Sequence, residues 1–84
     1  MEYIIAFNNT NQAIKAEHCL LEKKLRVDVI PLPPKIRAGC GICLRIAPED
    51  IAIATSTLTE NGIEGTAVFS RVKNAGSYDY AEIL

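Results

Sequence analysis

Three prolines, Pro31, Pro33 and Pro34, fall within the stretch Pro31–Gly39 and divide the chain at a point no helix or strand can cross. Proline fixes φ and removes a backbone donor, so the stretch is a stiff loop that cannot extend a sheet. Strand-like runs flank it, Val27–Ile30 before and Gly41–Ile46 after. The connection is longer than the roughly two to five residues usual in a hairpin, and long ordered loops on a small domain tend to carry function.

The remaining elements follow from periodicity and punctuation. Glu2–Phe7 is rich in β-branched and aromatic residues and predicts a first strand. Asn8-Asn9-Thr10 is a run of capping residues, and Asn9 with Gln12 fits a capping box opening a helix to about Lys24, with Ala13, Ala16 and Leu20 on one stripe. In the strand Gly41–Ile46, alternation puts Ile42, Leu44 and Ile46 on one face and Cys43 and Arg45 on the other. Pro48, Glu49 and Asp50 suit the first turn of a second helix, and Asn61-Gly62 stops it. Gly65–Val72 predicts a fourth strand, and the Gly76-Ser77 break sets off Tyr78–Leu84, to which no element is assigned.

The order β-α-β-β-α-β predicts an α+β fold, the ferredoxin-like sandwich: a four-stranded antiparallel sheet with two helices on one face. The domain is expected over residues 1–72, with residues 73–84 as a C-terminal tail. This topology brings the end of the first strand, the start of the first helix and the proline loop to one edge of the sheet.

Cys40 lies at that edge, between Gly39 and Gly41, and is the leading candidate for chemistry. The two glycines are expected to let the backbone turn sharply and leave the thiol unshielded. The amino end of the first helix, at Asn9 and Thr10, and the cations Lys35 and Arg37 are expected to favour its thiolate. With Cys43 it forms a C-x-x-C, for which three readings compete. Zinc needs four ligands, and two cysteines with a distant His18 do not supply a second pair, so no metal is expected. A thioredoxin-type dithiol opens a helix, whereas Cys43 sits in a strand. The third reading is thiol transfer, with Cys40 carrying a group such as a persulfide sulfur and Cys43 available to resolve it. Cys19 reads as a packing residue on the first helix.

Composition narrows the class. Eighty-four residues, 49% of them hydrophobic, make one domain with a core. A net charge of -1 and a pI near 5.7 argue against nucleic acid as a partner, because phosphate binding needs a basic face. There is no membrane-length apolar run and no recognisable secretion signal, and three cysteines make an odd number. A reduced, cytoplasmic protein is the expectation. Glu17 falls inside the apolar arc of the first helix and is a further candidate for holding or deprotonating a thiol. No phosphate loop, paired carboxylates or Ser-His-Asp arrangement can be picked out.

Phe7–Thr10, Ala16-Glu17, Ile30-Pro31 with Pro33, and Cys40-Gly41-Ile42 with Leu44 resemble the Se/S carrier protein-like family of small bacterial domains, over about residues 2 to 72. The resemblance implies that Cys40 is the carrier cysteine, Gly41 its neighbour and Glu17 the family's helix carboxylate. This chain departs from the family pattern in having Pro34 where an arginine is usual, and Arg37-Ala38-Gly39 where serines precede the cysteine.

The expected function is a sulfur or selenium carrier. Cys40 would accept a sulfane sulfur from a donor such as a cysteine desulfurase and pass it to an acceptor the sequence does not name, without a cofactor. Such a protein is an accessory to enzymes rather than a self-standing one. The rival is an interaction module, docking to a larger enzyme or forming a homodimer through its tail or a bare sheet face carrying residues such as Ile4, Val29, Cys43 and Phe69.

Overall fold

The computed structural model describes residues 1–83. Its elements are β1 (Glu2–Ala6), α1 (Thr10–Glu22), β2 (Val27–Pro31), β3 (Ile42–Ile46), α2 (Ile51–Glu60), β4 (Ala67–Asn74) and β5 (Ser77–Glu82), with a short 3₁₀ turn at Pro48–Asp50 leading into α2. The fold is α+β, and the strands form one antiparallel sheet in the order β2-β3-β1-β4-β5.

Five strands stand where four were expected, and the fifth is made from the tail. Ala75 and Gly76 take positive φ of 51° and 86°, the conformation of the tight two-residue turn that matches strand twist. The chain therefore folds straight back, pairing Asn74 with Ser77 and running to Phe69 opposite Glu82. The expected boundary after residue 72 falls inside β4, so residues 73–82 belong to the sheet; Leu84 lies outside the described residues.

Helix α1 begins where its capping residue predicts, with Gln12 N–H donating to Asn9 Oδ1 at 2.9 Å. Its buried Ala13, Ala16 and Leu20 join Ala54 and Leu58 of α2 over Ile5, Phe7, Leu44, Ile46 and Val68, so both helices cover one sheet face. Small alanines at the contact let the helices sit close to the sheet. Val29 pairs with Leu44 and therefore belongs to this helix side, not to the opposite face.

The opposite face carries Ile4, Ala6 and Cys43, and it is not bare. Ile4 and Cys43 are 0% exposed although no helix covers them. The segment Leu32–Gly41 supplies the cover. Within it Pro33–Ile36 forms a turn closed by Ile36 N–H to the Pro33 carbonyl at 3.0 Å, with Pro34 in the position such turns favour. Ile36 is buried yet stands apart from the helix-side cluster. Lys35 Nζ then donates to the Tyr78 carbonyl on β5 at 3.3 Å, at the far edge of the sheet from β2. The proline loop is a strap laid across the sheet.

Beside the strap a row of charges crosses the same face. Arg45 donates to Asp28 Oδ2 from Nη2 at 2.7 Å and from Nε at 3.2 Å, and approaches Glu2 at 3.8 Å. Glu2 in turn binds Arg71, whose Nε donates to it at 2.9 Å and whose guanidinium stacks 4.1 Å from the Tyr78 ring centre. These contacts link β2, β3, β1, β4 and β5 in order, and Arg45 holds the Asp28 carboxyl below its usual range.

Candidate functional site

Three connections meet at the end of the sheet where Cys40 lies, and Asn8 is their common point. A Cβ placed on Gly39 would fall 1.7 Å from the Asn8 carbonyl oxygen, and one on Gly65 would fall 1.9 Å from Asn8 Nδ2. Gly65 also has a φ of +72°, which side chains rarely adopt. Asn8, just before α1, is thus held between the strap and the connection from α2 to β4. Gly39 is glycine because another backbone passes through the space of its side chain. Gly41 has no such neighbour within 4 Å, and neither residue uses the left-handed region, so the expected sharp glycine turn at both positions is corrected to a close approach at one.

Cys40 follows Gly39 and turns inward. The residue is 2% exposed and belongs to the helix-side cluster with Phe7 and Ala13. The expectation of an unshielded thiol is therefore corrected: with Gly39 seated against Asn8, the chain has only the core end of α1 and β1 toward which to direct the next side chain. Sγ donates to the Ile42 carbonyl at 2.8 Å and receives the Ile42 N–H at 3.4 Å, closing a local turn at the entry to β3.

Of the cations expected near the thiol, neither Lys35 nor Arg37 is hydrogen-bonded to Cys40 among the described residues. Lys35 is spent on the Tyr78 carbonyl and Arg37 is exposed. Asn9 caps α1, Thr10 is its first residue, and Glu17 lies half-buried further along it, with none of the three hydrogen-bonded to Cys40 among the described residues. His18 pairs with Glu22 at 3.2 Å on the exposed side of α1.

Cys43 lies on the strap-covered face, its Sγ 3.8 Å from the Pro31 carbonyl. Burial pushes its thiol up to about 11, with Arg71 pulling the other way less strongly. It is protonated at neutral pH and poorly suited to attack. A stability signature follows. An acid whose folded pKa is raised stabilises the fold fully below its unfolded value, near 9, and loses that contribution as pH climbs to about 11. Between these limits the wild type should lose roughly 2 kcal/mol more than Cys43→Ala, read from urea midpoints across the range. Equal losses would mean that the thiol meets solvent.

Ile36, Asn8 and Tyr78 were missed as parts of this region. Gly39 and Gly65 carried the available signal for Asn8, but their joint contact with it joins positions far apart in sequence.

The fold and the site together define a small α+β domain with a loop cysteine enclosed where three connections converge. The chain belongs to the family described as Putative Se/S carrier protein-like, whose model matches residues 2–70, a span that includes Cys40 and the whole strap. No curated protein and no solved structure matches it. Among the described residues, no helix is long and apolar enough to cross a membrane.

Proposed function

We propose that this protein carries sulfur or selenium on Cys40, handing it between a donor and an acceptor protein in the cytoplasm. The observation that supports the reading is the placement of Cys40 within the family-matched span, on a strap that ends at the meeting of three loops. In the loading step the Cys40 thiolate attacks the outer sulfur of a donor persulfide, as a cysteine desulfurase would present it. A new S–S bond forms at Cys40, the donor's S–S bond breaks, and the donor sulfur leaves with the electron pair as a thiolate. Delivery repeats the exchange with an acceptor thiolate, so no oxidant or reductant is consumed.

Burial of the thiol fits a carrier that opens to exchange and closes to transport, since an enclosed persulfide is kept from stray thiols. The strap is the element to open: it is tied at its middle by Lys35 and Ile36, and Gly41 at its end has free space around it. Cys43 is then a packing residue beneath the strap rather than a resolving thiol. Docking through the sheet face is weakened by the same strap, which occupies that face.

The test is loading by a persulfide donor, read by intact mass. Wild type should gain the mass of one sulfur atom, reversed by reductant, and Cys40→Ser should gain none. Equal loading of both proteins, or none on folded wild type, would overturn the reading.

A further inference from the structure

Where the strap leaves its sheet face open, the row of charges ends in a groove whose cations outnumber its carboxylates. Met1, Glu2, Arg71, Lys73 and Tyr78 line this groove of about 240 Å³. Cross-strand pairing sets Arg71 opposite Glu2 and Tyr80, and Lys73 opposite Tyr78, all directed to the strap side. Arg71 is 8% exposed, and its carboxylate partner, Glu2, is shared with Arg45. Lys73 is exposed and forms no ion pair among the described residues. A third cation, Lys35 of the strap, reaches Tyr78 and is met there by a neutral backbone carbonyl. Three cations thus share one carboxylate in a chain whose net charge is -1. The acids of β5 do not redress the balance. Asp79 alternates to the other face, where Asn74 Nδ2 donates to it at 3.2 Å, and Glu82 stands four residues along the strand from Tyr78, about 13 Å away.

We infer that this groove receives an aspartate or glutamate side chain from an acidic segment of the donor or acceptor protein, and that its arrival frees the strap. The inference rests on the carrier reading for its partner, since a carrier docks to whatever loads and unloads it. Charge selects the ligand class, and the bond of Lys35 supplies the consequence. An ammonium bonds a carboxylate roughly twice as strongly as a neutral carbonyl. A carboxylate held by Lys73 therefore offers Lys35 a better acceptor than Tyr78 does. Lys35 and Ile36 tie the strap at its middle, and Cys40 lies at its end. Docking loosens the segment that encloses the thiol when an exchange partner is at hand. Nucleic acid fits this groove poorly, because a regular run of phosphates would also meet Glu2 and Glu82, which sparse side-chain carboxylates avoid.

Titration of the intact protein with acetylated, amidated hexaglutamate tests this. Binding is read from amide NMR shifts, which also confirm the fold of each variant, and access to Cys40 from the alkylation rate in a Cys19→Ser background. The peptide should bind with a Kd of about 1 mM or tighter, roughly tenfold more weakly in Lys73→Glu, and less well as salt rises. Saturating peptide should speed alkylation of Cys40 about two- to threefold, the rise that loss of the Lys35 tie alone produces. In Lys35→Ala the peptide should add nothing further, because the tie is already gone. No binding by about 10 mM, binding indifferent to Lys73→Glu, or binding that leaves the rate unchanged would overturn the inference. Inorganic phosphate that accelerates the reaction as well as the peptide at equal ionic strength would overturn it too, since the groove would then be a small-anion site. Neither readout uses a persulfide donor. A protein that passes both yet takes no sulfur loses the carrier reading alone, and one that takes sulfur but fails here loses the docking site alone.

Discussion

Gly39→Ala is expected to be the most damaging single-methyl change in the chain, lowering stability by about 3 kcal/mol and the melting temperature by roughly 15 °C. The new Cβ would lie 1.7 Å from the Asn8 carbonyl oxygen and 2.8 Å from its carbonyl carbon. Both are backbone atoms, so no side-chain rotation relieves the overlap. Either the strap lifts from the end of β1 or the turn into α1 shifts, and each displaces Cys40 or Phe7 from the core. Gly41→Ala is the internal control, two residues away and equally exposed, with nothing within 4 Å of the added methyl. It should change stability by no more than about 0.5 kcal/mol. Thermal melts of the two variants decide the point, and equal stability would mean that the strap does not press on Asn8.

The second large effect concerns access to Cys40. Cys40 is 2% exposed, so its thiol reacts only when some part of the molecule opens, and on the proposed carrier reading the strap that bears it is that part. Ile36→Ala removes most of the apolar anchor on the opposite face, a change that commonly costs about 2–4 kcal/mol at a buried site. If that cost falls on the closed strap alone, alkylation of Cys40 should accelerate by roughly 30-fold or more while the rest of the sheet stays intact. Lys35→Ala deletes only a surface tie and should give about a two- to threefold rise. The accelerated reaction should also be nearly insensitive to low urea, since local opening exposes little surface. A rate unchanged in Ile36→Ala, or one that follows urea as steeply as global unfolding does, would show that the strap is not the gate.

Much of the fold was legible because its signals are local. The cap at Asn9, the prolines at 31, 33 and 34, the alternation through β3 and the stop at Asn61-Gly62 each act within a few residues, and they place both helices and four strands. The fifth strand was not legible, because Ala75 adopts a positive φ that alanine seldom takes, and the short run from Ser77 to Glu82 offers only Tyr78 and Tyr80 as an alternating pair. It is a strand because β4 offers it an edge. The site was legible in part. Cys40 and the convergence of loops beside α1 follow from topology, and Gly39 from its neighbourhood. The inward turn of the thiol does not follow, because it depends on Asn8 filling the space beside Gly39. The path of the strap across the sheet was equally hidden, since Ile36 and Lys35 find their partners on strands remote in sequence.

Mapping the loaded atom tests the central claim most directly. The reduced protein, incubated with a persulfide donor and then trapped with an alkylating agent that preserves the S–S bond, is digested, and the peptide of Cys19 and the shared peptide of Cys40 and Cys43 are fragmented to place the added sulfur on one cysteine. The account predicts the added sulfur on Cys40 alone, with Cys19 and Cys43 unmodified. Sulfur carried by Cys19 or Cys43 instead, or by all three in proportion to their exposure, would contradict it.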